Sequence, residues 1–277
     1  MTRFAPLVAL FAAAAPAQDV KRDLPYADPA HERQVLDVYA PKDAKNLPVV
    51  VWVHGGGWQT GDKAGVQLKP QAFAEKGFVF VAMNYRLLPS VDMGTIVRDV
   101  AKAVGWVRTH AAEHGGDPDR LFVMGHSAGA QLAALLCTDD RYLKAEGVPL
   151  SAIKGCVPVD VSAYDIPKLL TNPGSVPSAT YVGVFGADEG VQRDLSPVTH
   201  AAAGKGVPPF LLLHVAGRVD TESQSKAFAE KLKAAGVAAT VVAGEGKTHG
   251  SINADLGLPD DPPTMEVYSF LDRVLKK

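Results

Sequence analysis

Several stretches of this chain have apolar centres of strand length and are bounded by glycine or proline: "LPVVVWVHG", "GFVFVAMNY", "DRLFVMGHS", "IKGCVPVDV", "PPFLLLHVAG" and "VAATVVAG". A strand with one wet face alternates apolar and polar residues. Strands apolar throughout are buried on both faces, as in a parallel sheet between two layers of helices. The segments between them supply such helices. "KPQAFAEKG", "TIVRDVAKAVGWVRTHAAEHGG", "SAGAQLAALLC", "TESQSKAFAEKLKAAGV" and "PTMEVYSFLDRVLKK" carry helical patterns, with Val97, Val100, Ala101, Val104 and Val107 along one face of the second. Alternation of strand and helix predicts an α/β fold with a mostly parallel central sheet flanked by helices, in one domain spanning 18–277. "RQVLDVYAP" does alternate, which predicts a half-buried antiparallel or edge strand. The segment 161–206, with scattered Pro and Gly, breaks the rhythm and predicts a small cap-like insertion over one face.

Composition narrows the function. The chain has 277 residues, is 47% hydrophobic and 21% charged, and carries a formal net charge of −2. That balance suits a substantial core and argues against nucleic acid or an anionic membrane as partner, since either would call for clustered Lys and Arg. The first residues, "MTRFAPLVALFAAAAPAQ", join Arg3 to a short apolar run and the pattern Ala15-Pro16-Ala17. Residues 1–17 therefore predict a signal peptide cleaved after Ala17, and a secreted or periplasmic protein. The run is too short to span a bilayer. Only Cys137 and Cys156 occur, both in apolar surroundings that suit buried free thiols, although export would permit a disulfide.

Two glycine-rich motifs carry the chemistry. In "VMGHSAGAQ", Gly125-His126-Ser127-Ala128-Gly129 is a G-x-S-x-G placed between a strand and a helix. That context puts the serine on a sharp turn with its hydroxyl pushed out and a helix N-terminus facing whatever it attacks. Upstream, "VVVWVHGGGWQTGDK" runs an apolar strand into His54, Gly55, Gly56 and Gly57. A glycine triplet is entropically costly unless the backbone must come very close to something. An oxyanion formed in acyl transfer is such a thing, because backbone N–H groups must reach it.

With these residues in view the chain resembles the α/β-hydrolase carboxylesterases that carry HGGGW, near the hormone-sensitive-lipase-like and bacterial feruloyl- or acetyl-esterase-like enzymes. The motifs that carry the likeness are HGGGW-x-x-GDK, Asn84-Tyr85-Arg86, DPDR-strand-GHSAG and the terminal His-Gly-Ser. The resemblance implies an oxyanion hole built from the amides of Gly56, Gly57 and Ala128.

In this fold the triad runs Ser, then Asp or Glu, then His. Among the eight histidines, His31, His54, His110, His114 and His126 precede or adjoin Ser127 and fail that order. His54 is expected to orient the oxyanion loop and His126 to pack. Of the rest, His200, His214 and His249, the last sits in "GEGKTHGSIN", a loop after the final strand, where an imidazole can return over the sheet edge. His249 is the expected base. For the acid, the loop after "FLLLHVAG" offers Asp220 and Glu222, and Asp220 matches the Asp of the family's R-x-D-T-x-x-Q-S stretch. Many relatives have His-Gly where this chain has Val215-Ala216, a departure in that same loop. Asp188 and Glu189 are rivals within the insertion. Asp62 and Lys63 read as an ion pair bracing the oxyanion loop.

The expected function is a serine carboxylic ester hydrolase using Ser127, His249 and Asp220, with Trp58 beside the hole contacting substrate. No metal or organic cofactor is expected, and a small-molecule ester is the expected partner. The absence of an amphipathic lid pattern points to short-acyl or aryl soluble esters. An arylformamidase-type amidase and a non-catalytic ligand-binding α/β-hydrolase are the alternatives.

Overall fold

The computed structural model describes residues 18–171 and 178–276. The expected signal peptide, 1–17, lies outside the described residues. The strands are β1 (Gln18–Pro25), β2 (Val35–Pro41), β3 (Leu47–Val53), β4 (Val79–Met83), β5 (Gly116–His126), β6 (Ile153–Val159), β7 (Phe210–Val215) and β8 (Ala239–Gly244). They form one sheet in the order β1-β2-β4-β3-β5-β6-β7-β8. The β1–β2 and β2–β4 pairings are antiparallel and the remaining five are parallel. Each apolar run of the sequence is thus a strand, and the α/β fold with a mostly parallel sheet is the one expected.

The helices are α1 (Lys69–Glu75), α2 (Met93–His110), α3 (Ala128–Thr138), α4 (Asp140–Ala145), α5 (Ile166–Thr171), α6 (Ser178–Phe185), α7 (Glu189–Asp194), α8 (Pro197–His200), α9 (Val219–Ala234), α10 (Ser251–Ala254) and α11 (Pro262–Leu275). Strand β3 shows why its sequence needs no alternation. Val49, Val51 and Val53 pack with residues of α2, α3 and α9, while Val50 and Trp52 pack on the other face with residues of α1, α10 and α11. All five are essentially fully buried, so a polar residue at either parity would lose its water.

"RQVLDVYAP" departs from expectation. β2 is antiparallel, but all its central residues are buried, because β1 covers its outer edge and Tyr39 and Val38 pack on opposite faces. β1 itself is largely exposed and was not legible as a strand, since its charged sequence QDVKRDLP buries little. Cys137 and Cys156 are buried free thiols.

The segment 161–206 carries α5 to α8. It is not loosely laid on: Ile166, Leu169, Phe185 and Leu195 join the main core. Gln224 of α9 clamps Asp165 by accepting from its N–H at 2.9 Å and donating to its carbonyl at 3.0 Å.

Candidate active site

Ser127 stands between the end of β5 and the start of α3 with φ 55° and ψ −121°, a left-handed conformation that costs a non-glycine residue energy and persists only where its surroundings enforce it. The surroundings here are the two glycines. A Cβ on Gly129 would lie 2.1 Å from the Val53 carbonyl oxygen, and one on Gly125 would lie 2.4 Å from that of Gly129. The start of α3 therefore rests directly on the backbone of β3, which fixes the turn. Gly129→Ala should accordingly destabilise the protein by about 3 kcal/mol or more, since backbone cannot move aside as a side chain can. Urea denaturation would measure it. A loss under about 1 kcal/mol would show that the turn is not held this way.

Ser127 Oγ is 3.0 Å from His249 Nε2, and His249 Nδ1 is 2.6 Å from Asp160 Oδ2. His249 lies in the loop between β8 and α10. Thr248 and Ser251 bracket it by exchanging hydrogen bonds, Thr248 N–H to Ser251 Oγ at 2.8 Å and Ser251 N–H to Thr248 Oγ1 at 3.1 Å. Its carbonyl accepts from His126 Nε2 at 2.8 Å, and the two rings lie 4.4 Å apart. Burial, reinforced by the nearby His249, pushes the His126 pKa down to about 3, so His126 is a neutral support with its proton on Nε2.

The expected acid is corrected. Asp220 does not reach His249; it sits in the first turn of α9 and its carboxylate takes Arg218 Nη2 at 3.2 Å. The carboxylate behind His249 is Asp160, which immediately follows β6 and is fully buried. Asp160 Oδ1 accepts the Val215 N–H at 3.0 Å, and Oδ2 accepts both His249 Nδ1 and Arg218 Nη1, the latter at 2.5 Å. Burial alone would raise its pKa. The hydrogen bonds from His249 and Val215 and the Arg218 charge outweigh burial and bring it down to about 2. The stability this carboxylate lends is present above the ordinary Asp range, and is lost as pH falls from about 4 toward 2. Glu222 pairs with Lys226, Asp188 caps α7 through the Val191 N–H, and Glu189 pairs with Arg193. His214 is buried with Nδ1 3.1 Å from the Val215 carbonyl, and His200 Nε2 meets the Asp194 carbonyl at 2.7 Å. Neither approaches Ser127.

Each glycine of the triplet has its own reason. A Cβ on Gly55 would press on the His126 carbonyl at 3.0 Å and Ser127 Cβ at 3.1 Å, while one on Gly56 would meet the Thr60 carbonyl oxygen at 2.2 Å. Gly57, at φ +60°, has open space on that side. Gly57 and Ala128 line a cavity of about 320 Å³ with Trp58, Ser127, Asp160, Val161, Ser162, Tyr181, Arg218 and His249. Gly56 does not line it, and its carbonyl accepts the Thr60 N–H at 2.9 Å. The loop is fixed behind by His54, whose Nδ1 donates to the Gly55 carbonyl at 2.7 Å and whose ring stacks on Tyr85 at 4.3 Å. Burial lowers the His54 pKa to about 4. Asp62 and Lys63 are not paired with each other: Asp62 meets Arg33 at 3.3 Å, and Lys63 meets Asp37 at 2.7 Å and Asp23 at 2.8 Å. Asn84 fixes this corner, donating to the Asp62 carboxylate at 2.8 Å and accepting the Lys63 backbone N–H at 2.7 Å.

Trp58 ties the loop to the insertion. Its Nε1 donates to Gln131 Oε1 at 3.1 Å, Gln131 donates on to the Leu195 carbonyl at 2.9 Å, and its ring meets Phe185 edge-on at 4.9 Å. Among the described residues no cluster of His, Cys, Asp or Glu could hold a metal ion.

The BD-FAE family profile matches residues 36–232. The chain belongs to the BD-FAE family. The matched stretch of this BD-FAE member includes Ser127, Asp160 and Arg218 and stops short of His249. Among curated relatives, it is 32% identical over 259 residues to a probable isoprenylcysteine α-carbonyl methylesterase of Arabidopsis thaliana, covering 87% of this chain and 52% of that protein. It is 30% identical over 234 residues to a carboxylesterase of Mycobacterium tuberculosis, covering 80% of this chain and 72% of that one. The chain thus spans about half the length of the first of these and more of the second. A truncated carbohydrate esterase from gut microbiota superposes with a TM-score of 0.80 at 20% identity, over 96% of this chain and 99% of that one.

Proposed function

We propose that this protein is a serine carboxylic ester hydrolase of the HGGGW-bearing branch, acting on small soluble esters. The observation that carries the reading is the hydrogen-bonded line from Ser127 Oγ through His249 to Asp160, at 3.0 and 2.6 Å, opening on a cavity. Serine is a weak nucleophile until a base takes its proton, and an imidazole does so well when a carboxylate fixes its tautomer. In the proposed sequence Ser127 Oγ attacks the ester carbonyl carbon and its proton passes to His249 Nε2. The carbonyl oxygen takes the negative charge and is held by the amides of Gly57 and Ala128, which border the cavity. Collapse breaks the bond to the alcohol oxygen, which leaves with the proton from His249. Water then attacks the acyl-serine, losing its proton to His249; the bond from the acyl carbon to Ser127 Oγ breaks, Oγ takes that proton back from His249, and the acid leaves. No step needs a metal or organic cofactor.

The methylesterase and carboxylesterase names of the relatives support the ester class. A cavity of roughly 320 Å³, lined in part by Trp58 and Tyr181, suits a short acyl chain. A series of p-nitrophenyl esters from acetate to dodecanoate should give the highest kcat/KM at two to four carbons, falling by about tenfold or more at eight, as bulk meets that wall. Faster turnover of emulsified long-chain esters would contradict the substrate reading. Faster turnover of N-formylanilide than of phenyl acetate would favour the amidase alternative.

A further inference from the structure

The loop between β7 and α9 presents to the site not a carboxylate but the guanidinium of Arg218. Its Nη1 lies 2.5 Å from Asp160 Oδ2 and 3.0 Å from His249 Nδ1, and its Nη2 lies 3.2 Å from Asp220 Oδ2. Asp160 Oδ2 is therefore shared by two donors, the imidazole and the guanidinium. Hydrolysis requires His249 to become an imidazolium and to give the proton up again. A full positive charge beside Nδ1 opposes the first of these, and Asp160 favours it.

We propose that Arg218 is a positioning residue that fixes the Asp160 carboxylate and counterweights the imidazolium, with Asp220 as the outer counter-charge that limits its effect. This inference rests on the Ser127–His249–Asp160 reading. Three features support it. Arg218 is anchored at both ends of its fork, which gives its planar guanidinium one orientation. Asp160 is fully buried, so its partners are fixed by the protein and not by solvent. Arg218 also borders the substrate cavity, so the pair is close to the developing charge.

The groups facing His249 act on it with opposite signs. From the end of β6, Asp160 stabilises the imidazolium. From the β7–α9 loop, Arg218 destabilises it and the more distant Asp220 opposes Arg218. From β5, His126 is neutral above about pH 3. Behind His126 lies Lys69 of α1, buried, with its ammonium donating to the Asn253 carbonyl at 2.7 Å. Burial lowers its pKa to about 7, and whatever it contributes is common to all the variants compared below. Removing the Arg218 charge leaves Asp160 to His249 alone, so His249 protonates more readily. Removing the Asp220 charge leaves Arg218 less neutralised, so His249 protonates less readily.

The test is the acid limb of kcat/KM for p-nitrophenyl acetate between pH 5 and 9, where activity falls as His249 takes up a proton. Arg218→Met should move that limb upward by about one pH unit, the scale expected for a unit charge a few Å away in a half-solvated site. Asp220→Asn should move it downward by about half a unit, since its charge is farther off and screened. Arg218→Lys, which keeps the charge and loses the fork, should lower the plateau while leaving the limb within about 0.3 unit of wild type. A purely structural brace would lower the plateau and leave every limb in place. Limbs that do not move, or that move the same way in Arg218→Met and Asp220→Asn, overturn the inference. If Arg218→Met fails to fold, the downward shift in Asp220→Asn decides the matter alone. An inactive Ser127→Ala in the same assay confines such a failure to Arg218, whereas an active one removes the triad reading and the inference with it.

Discussion

Ser127→Ala lowers kcat by about 10⁴- to 10⁶-fold and leaves the fold intact, because nucleophile, base and acid act as a unit. The structure explains why the fold survives. The strain of the elbow, φ 55° at Ser127, is imposed by Gly125 and Gly129 lying against β3, and alanine in that turn keeps the same backbone requirement. The hydroxyl contributes one hydrogen bond, to His249 at 3.0 Å in a solvent-accessible site, so its loss costs about 1 kcal/mol of stability or less. His249→Ala falls nearly as far, while His214→Ala and His200→Ala retain most activity, since their rings bond to backbone carbonyls away from the cavity. Steady-state kinetics with p-nitrophenyl acetate, alongside far-ultraviolet circular dichroism, reads both parts. Activity of Ser127→Ala within tenfold of wild type would remove the serine from the mechanism.

Most of the fold was legible because burial on both faces leaves an unmistakable pattern. The short, β-branched run Val49 to Val53, closed by a glycine triplet, reads as an interior strand and is one. The elbow was legible for a related reason: Gly125 and Gly129 are forced by backbone approach closer than any side chain allows. Asp160 was harder to see. It stands directly after the apolar run of β6, in "GCVPVDVS", and reads as the point where the insertion begins. A physical signal was nonetheless there. A carboxylate at the C-terminal end of a buried parallel strand must find donors, and in this fold that edge is where the site lies. Asp220 was favoured because it matches the Asp of the family's R-x-D-T-x-x-Q-S stretch, but its carboxylate is paired with Arg218, which also holds Asp160. The oxyanion-loop braces were misread similarly. Adjacent opposite charges at Asp62 and Lys63 suggested a pair, yet the two open a turn in which the Asp62 carboxylate accepts the Ala64 N–H, and each found a distant partner.

The second large effect follows from what surrounds Asp160. Every group on its carboxylate is a donor: the Val215 N–H on Oδ1, and His249 Nδ1 and Arg218 Nη1 on Oδ2. Asparagine has the same shape but one of its two ends is an NH₂. Turned toward Val215, that NH₂ faces a backbone N–H and leaves both buried donors unsatisfied. Turned toward His249, it accepts nothing, so Nδ1 must become the acceptor and the proton moves to Nε2, facing Ser127. The base then has no lone pair for the serine proton, and the Arg218 charge keeps only Asp220 as its counter-charge. The loss in kcat is of order 10⁴, as a wrong tautomer costs in triads generally. Asp220→Asn loses only a carboxylate held by one arm of Arg218, and its kcat stays within about tenfold of wild type. The most direct measurement is therefore kcat at pH 8 for Asp160→Asn and Asp220→Asn side by side. A fall of about 10⁴ in the first with a small change in the second is the predicted result, and a severe loss in Asp220→Asn with Asp160→Asn near wild type would contradict it.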